Sequence, residues 1–421
     1  MDLPRDIILD VLTRLPVKSL SEMRCTSKTS LNIIDNPFFA TLHTSRLLNS
    51  AVNSTTAGEV QLMLLAHSWS SRDNKFLTAL QSLKYNDKNG LTKTRGCRAN
   101  ILSGVGDYNV DFVFCNLICL KQLTGAFKAP CLLINPLRGG EFLELPINDL
   151  IPPYARRWYG IGFDSITSTH KIVGVFKSML HKHQVAYVYT LGTRSSSWRE
   201  IHSVPQCEFS RKNVFAYGDM HWLVYNDVAG RNPNRIISFD SKKDEFVSTP
   251  YPNSSQGFIR GLLVIHLLNL RGCLAIVSSG NLFVEIWVLK NYEKKEWALD
   301  YKIDNEMLPN GSPLNSIESC GELEHGIFFT EMKDPLMFYF WDIRYKSIKY
   351  ITGAKLFPDM FSYDNLYYHL WGRRRQWRPF ISIFSCTRGL ISLKTYGNLV
   401  ERRVCRWTIF EAAKTRTWHF D

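Results

Sequence analysis

Apolar and polar positions recur with two different periods along this chain, and the change of period divides it. From Leu3 to Leu42 the apolar residues keep helical spacing. Leu3-Pro4 opens a helix, since proline at the first helical position sacrifices no hydrogen bond. Ile7, Ile8, Val11, Leu12 and Leu15 then share one face, and Pro16 ends the run. Ser19-Leu20-Ser21-Glu22 has the S-x-x-E form of a capping box and predicts a second helix from about Leu20. Arg24 to Ile34 reads as a further helical stretch, broken near Ser27. Asn36-Pro37 ends it, and Phe38, Phe39 and Leu42 begin another. Thr44 to Glu59 is polar and rich in small residues, and reads as a linker.

Beyond the linker the long helical patterns stop. Short β-branched and aromatic runs alternate with Gly, Asn, Asp and Ser, which predicts an all-β sandwich, barrel or propeller. Val60–Ala66, Phe76–Leu83, Phe112–Leu120, Lys171–Phe176, Val214–Tyr217 and Ile381–Ser385 are among the predicted strands. An internal repeat favours the propeller. A strand, a polar turn and a strand led by a large aromatic recur in LLINPLRGGEFLELP, YVYTLGTRSSSWREI, IISFDSKKDEFVSTP, EIWVLKNYEKKEWALDY, FYFWDIRYKSIKYI and RWTIFEAAKTRTWHF. The aromatics are Phe142, Trp198, Phe246, Trp297, Tyr350 and Trp418, and most steps between them are about 50 residues, near the kelch blade period. The stretches between, such as GIGFDSITSTHKIVGVF, VFAYGDMHWLVYN, ELEHGIFFTEM and ISIFSCTRGLISL, read as paired inner strands. About six or seven blades follow, with Val60–Leu83 left over at the front to close the ring on the last blade. The expected fold class is mainly β with a small α-helical N-terminal module, divided as residues 1–45 (helices), 46–58 (linker) and 59–421 (propeller-like body).

Four short helices in so few residues cannot bury their own apolar faces well; modules of this size need disulfides, a metal or a partner. Cys25 is the one cysteine there and no ligand cluster accompanies it, which leaves a partner. LPRDIILDVLTRLPVKSL followed by RCTSK, from Leu3 to about His43, resembles the F-box, the three-helix module that docks on the Skp-type adaptor of cullin-based ubiquitin ligases. Ser30 departs from it, standing where plant F-boxes usually carry Trp. INPLRGGEFLELP, YGIGFDSITSTHKIVGVF, VYTLGTRSSSWREI, FAYGDMHWLVYN and EIWVLKNYEKKEWALDYKI resemble the F-box-associated interaction domain of plant F-box proteins. Together the resemblances imply a non-catalytic substrate-recognition subunit of an SCF (Skp-cullin-F-box) ubiquitin ligase. Leu3, Pro4, Ile8, Leu12, Leu15, Pro16 and Leu20 would form the adaptor-binding face, with Arg24, Cys25 and Lys28 at its edge. The β-domain would hold an unidentified target protein for ubiquitination.

Composition narrows the alternatives. Hydrophobic content of 45% and charged content of 21% over 421 residues are globular values. Asp2, Asp6 and Asp10 stand where a signal peptide would carry a basic and then an apolar segment, so cytoplasm or nucleus is expected, without a membrane partner. The ten cysteines are scattered with no C-x-x-C, as befits single thiols in a reducing compartment. There is no nucleophile elbow, Walker loop or zinc-protease motif, and no cofactor or metal is implied. Net charge is +13 and lies almost wholly beyond the helical module, which points to acidic partners. The densest basic stretch places Arg373, Arg374, Arg375 and Arg378 among Trp371 and Trp377. Trp and Arg are the commonest interface hot spots, so these six are the expected target contacts. Two other readings stay open: an interaction protein without a ligase role, for which Ser30 speaks, and a nucleic-acid-binding propeller, for which only the charge and this loop speak.

Overall fold

The computed structural model describes residues 4–53, 60–70, 75–86, 90–103, 108–122, 131–135, 141–151, 155–178, 183–192, 197–227, 235–252, 264–280, 282–304, 317–323, 326–331, 337–352, 381–387, 389–396 and 405–408. Four helices come first: α1 (Arg5–Thr13), α2 (Val17–Met23), α3 (Lys28–Ile34) and α4 (Pro37–Asn53). Pro4 and Pro16 sit just ahead of α1 and α2, where a missing N–H costs nothing. The expected capping box at Ser19 lies inside α2 instead, because Pro16 starts that helix earlier. The linker expected over 46–58 differs too. The helix begun at Pro37 runs on to Asn53, past residue 45, since nothing between them breaks it.

The body is a six-bladed propeller. Five blades are antiparallel four-stranded sheets in sequence order. They are β4 (Tyr108–Phe114), β5 (Leu117–Gln122), β6 (Leu132–Asn135) and β7 (Glu141–Glu144); β8 (Ala155–Asp164), β9 (Thr169–Ser178), β10 (Gln184–Thr190) and β11 (Arg199–Ile201); β12 (Cys207–Ala216), β13 (Asp219–Asp227), β14 (Arg235–Asp240) and β15 (Glu245–Pro250); β16 (Val264–Leu270), β17 (Cys273–Ser279), β18 (Phe283–Asn291) and β19 (Glu296–Asp304); and β20 (Ile317–Leu323), β21 (Gly326–Glu331), β22 (Met337–Asp342) and β23 (Ser347–Thr352). The sixth is assembled from both ends of the chain. Its five strands run in the order β24 (Ile381–Thr387), β1 (Val60–Ser70), β2 (Lys75–Asn86), β3 (Gly90–Ser103) and β25 (Cys405–Thr408). The register of closure pairs Val60 with Thr387 and Ala66 with Ile381. The first strands β4, β8, β12, β16, β20 and β24 touch one another in cyclic order, so they form the inner ring.

The repeated motif explains the blade. In its turns an Asp or Asn side chain accepts backbone N–H groups two or three residues on: Asp164 from Ile166, Asp240 from Lys242 and Lys243, Asn291 from Lys294, Asp342 from Arg344. The residue before the returning strand is left-handed at Ser168, Asp244, Lys295 and Lys346. The leading aromatic latches one blade to the one before it. Trp198 Nε1 donates to the Pro146 carbonyl at 2.8 Å, and Trp297 Nε1 to the Pro250 carbonyl at 3.1 Å. Phe142 packs with Met63, Leu65 and Cys386 of the closing blade, whereas Phe246 packs on Phe209 of its own blade. Tyr350, by contrast, is exposed, and Trp418 lies outside the described residues.

Three sequence expectations are corrected. Phe112–Leu120 is not one strand but the hairpin β4–β5, turned at left-handed Cys115. Gly90–Ser103 is a strand that no alternation predicts; its polar run is held by backbone pairing to β2 on one side and β25 on the other. ISIFSCTRGLISL is not a pair of strands, because β24 finds its partner in β1, and the rest of the stretch ends in a single 3-10 turn, Leu393–Tyr396.

Crowding at the ring sets two expectations. A Cβ on Gly321 of β20 would stand 2.5 Å from Cβ of Ser385 on β24, and Gly321 has φ +141°. Gly321→Ala is expected to cost about 2–4 kcal/mol through clash and strain, read as a lower melting midpoint. His170 and His221 are buried, and burial holds each imidazole down to about 4. Unfolded imidazoles titrate near 6.5. The stability these two supply is therefore whole above pH 6.5 and is lost as pH falls from there to about 4, up to about 3 kcal/mol for each. Asp219, which burial lifts to about 6, works in the opposite direction. Melting the wild type and His221→Gln between pH 7 and 4 should show the flatter decline in the variant.

Candidate functional site

The helical module is held together by a small interior and by ion pairs on its surface. Leu12, Leu20, Ile34 and Phe39 are buried, with Ile8, Leu9, Leu15, Val17, Met23 and Ile33 packed partly against them. Arg24, just past α2, makes a two-pronged pair with Asp35, just past α3: Nε to Oδ1 and Nη2 to Oδ2, both 2.7 Å. That hydrogen bonding pushes the guanidinium still further above its ordinary range. Asp10 binds Arg46 of α4 and Arg14 just past α1, and these bonds hold its carboxyl below the usual range. His43 of α4 reaches the Leu15 carbonyl at 3.1 Å; burial pushes the imidazole below its ordinary range, and this bond opposes the shift.

Ser27 caps α3. Its hydroxyl accepts from the Ser30 backbone N–H at 3.0 Å and donates to the Ser30 hydroxyl at 2.9 Å. Ser30, the departure from the plant pattern, is therefore half-buried at the start of a capped helix.

Several residues expected on the adaptor face are turned inward. Leu12 and Leu20 are interior, and Ile8 and Leu15 are half-buried against them. Pro4, Pro16, Arg24, Cys25 and Lys28 are exposed, and Leu3 lies outside the described residues. The solvent-facing apolar residues are others: Ile7 at 49%, Val11 at 51%, Leu31 at 36% and Phe38 at 61%. Pro4, Ile7 and Val11 follow one another at three- and four-residue steps, so they form a stripe along α1. A signal for this was present. Ile7, Ile8, Val11, Leu12 and Leu15 span a face too broad for one interior, and α1 buries one half of it while presenting the other.

The propeller gives the module a side. Strand directions alternate, so the turn at Cys115 and the turn Ser241–Asp244 open on the same face of the ring as the end of β24 and the start of β1. The chain therefore enters from α4 on that face. The ends of the second strands and the starts of the third, and the end of each blade and the start of the next, lie on the opposite face. Trp371, Arg373, Arg374, Arg375, Trp377 and Arg378 fall outside the described residues.

No group of three His, Cys, Asp or Glu among the described residues is placed to hold a metal. Burial pushes the thiols of Cys115, Cys119 and Cys386 up, away from the reactive thiolate. No helix among the described residues is long and apolar enough to cross a membrane.

Comparison with known proteins agrees with this division. The description "F-box domain" matches residues 1–42, and "F-box associated beta propeller domain" matches residues 70–370. The F-box protein At3g07870 of Arabidopsis thaliana is 25% identical over 338 residues, covering 74% of this chain and 75% of the relative. The F-box/kelch-repeat protein At3g23880 of the same plant is 25% identical over 311 residues, covering 70% and 78%. Among solved structures, an Aleuria aurantia lectin in complex with alpha-methyl-L-fucoside aligns over 70% of this chain and 95% of its own at 9% identity, with a TM-score of 0.36. Helical module, six-bladed ring and sequence matches agree, and the chain belongs to the family that joins an N-terminal F-box to an F-box-associated β-propeller.

Proposed function

We propose that this chain is a substrate receptor of an SCF-type ubiquitin ligase: the F-box docks a Skp-type adaptor, and through it a cullin, while the propeller holds a target protein. The observation that carries this reading is the exposed stripe Pro4–Ile7–Val11, with Leu31 and Phe38, on so small a module. Exposed apolar residues on so small a module mark a binding face. F-box proteins are in general non-catalytic adaptors, and on this reading the chain makes and breaks no covalent bond. It raises the effective concentration of a target lysine near a conjugating enzyme carried by other subunits. The target belongs on the face opposite the helices, where it does not compete with the adaptor. Trp371, Arg373, Arg374, Arg375, Trp377 and Arg378 connect β23 to β24 and are proposed as its contacts, since the ends of both strands that they join lie on that opposite face.

Two measurements test this. Ile7→Asp with Val11→Lys places each charge where the helix dipole favours it, so the module should stay folded. Co-purification with a Skp-type adaptor should weaken at least tenfold, about 1.4 kcal/mol or more, at an unchanged melting midpoint. Undiminished adaptor binding would remove α1 from the interface. Replacing Arg373, Arg374 and Arg375 by Ser should leave melting and adaptor binding intact and shrink the set of proteins captured with proteasome activity blocked. An unchanged set would mean that these arginines are ordinary surface.

A further inference from the structure

The F-box interior contains a residue that the F-box does not encode. Leu390 is buried in the same apolar cluster as Leu12, Leu20, Ile34 and Phe39, and it comes from the far end of the propeller. It sits in the segment Gly389–Tyr396, which follows β24, the inner strand of the closing blade. That segment is tied down along its length. The Ile391 carbonyl accepts from Asn116 Nδ2 at 2.9 Å and from Asn135 Nδ2 at 2.6 Å. Glu141 of β7 accepts from the Ser392 hydroxyl at 2.8 Å and from the Leu393 N–H at 2.6 Å. The Tyr396 hydroxyl meets His170 Nδ1 of the next blade at 2.9 Å.

We infer that Gly389–Tyr396 is a strap that keeps the F-box folded against the ring, so that the adaptor-binding module is stable only while the propeller is closed. Four short helices with a handful of buried side chains make a marginal core. Leu390 completes that core from outside, and its backbone neighbours are fixed by two asparagines and a carboxylate belonging to the first blade. β24 places the strap by pairing with β1, and β1 follows α4 in the chain. One closure event therefore brings the two ends of the chain together and seats the F-box. Space along the strap is tight: a Cβ on Gly389 would meet Asn116 Oδ1 at 2.4 Å.

The strap deepens the adaptor reading above, and it can be tested apart from it. Amide hydrogen exchange on the purified full chain, without adaptor, reads the helices and the blades separately. Leu390→Ser removes the contact itself. Glu141→Ala releases Ser392 and Leu393 and touches no residue of the helices. Both should lower protection across α1–α4 by about tenfold or more while the sheets of the second to fifth blades keep theirs. Leu390→Met, which preserves volume, should hold wild-type protection. Wild-type protection of the helices in Glu141→Ala would overturn the strap, whatever Leu390→Ser does, because the contact would not then depend on the anchored segment. Should Leu390→Ser fail to fold, Glu141→Ala decides alone. A chain that binds no Skp-type adaptor but loses helix protection in Glu141→Ala would sink the ligase reading and leave the strap standing. The reverse result would do the opposite.

Discussion

The pairing of Val60–Ala66 with Ile381–Thr387 closes the ring, and most of what surrounds it depends on that closure. A four-stranded sheet buries one face on each neighbour, so six sheets in a circle satisfy one another only if the sixth is complete. Here the sixth sheet draws three strands from before the first blade and two from after the fifth. Its formation joins residues some three hundred positions apart, an ordering cost that grows slowly with loop length once it is met. A closed ring also leaves few free edges: β25 pairs along the outside of β3.

The same closure has a cost in side-chain space. The inner strands are pressed together, which is why small residues stand at their contacts. A Cβ on Gly160 would strike Met220 and Trp222, and one on Gly321 would strike Ser385. Across the axis, Asn213 of β12 donates to the carbonyls of Asp111 and Tyr159 at 2.9 and 2.8 Å. Asp111 in turn takes the Lys121 ammonium at 2.8 Å, which opposes the rise that burial imposes on its carboxyl. The donors of this network are paired, while Asn213 Oδ1 is buried with no hydrogen-bond partner among the described residues.

Two distinct faces follow. The helices enter on one face, where Leu390 packs among them. The last strand of each blade ends, and the first strand of the next begins, on the other. On the proposed reading as a receptor, a target held on one face and an adaptor held from the other could be bound together at a fixed span.

Much of this was legible in the sequence, and the reasons are local. Pro4 and Pro16 mark helix starts by their missing N–H groups. The strand, Asx turn and aromatic repeat discloses the blade, because Asp240, Asn291 and Asp342 act on backbone only two or three residues away. Even the closing role of Val60–Leu83 could be read from its being left over. What could not be read was decided by contacts between distant segments. Gly90–Ser103 carries no alternation, since its pairing on both edges is made through the backbone. Leu12 and Leu20 share helical faces with exposed neighbours, and periodicity cannot say which half of a broad apolar face turns inward. Leu390 looks like any apolar residue after a strand. It becomes part of the F-box only because closure brings β24 beside β1 and the segment after it across the first blade, and no spacing within either segment encodes that meeting.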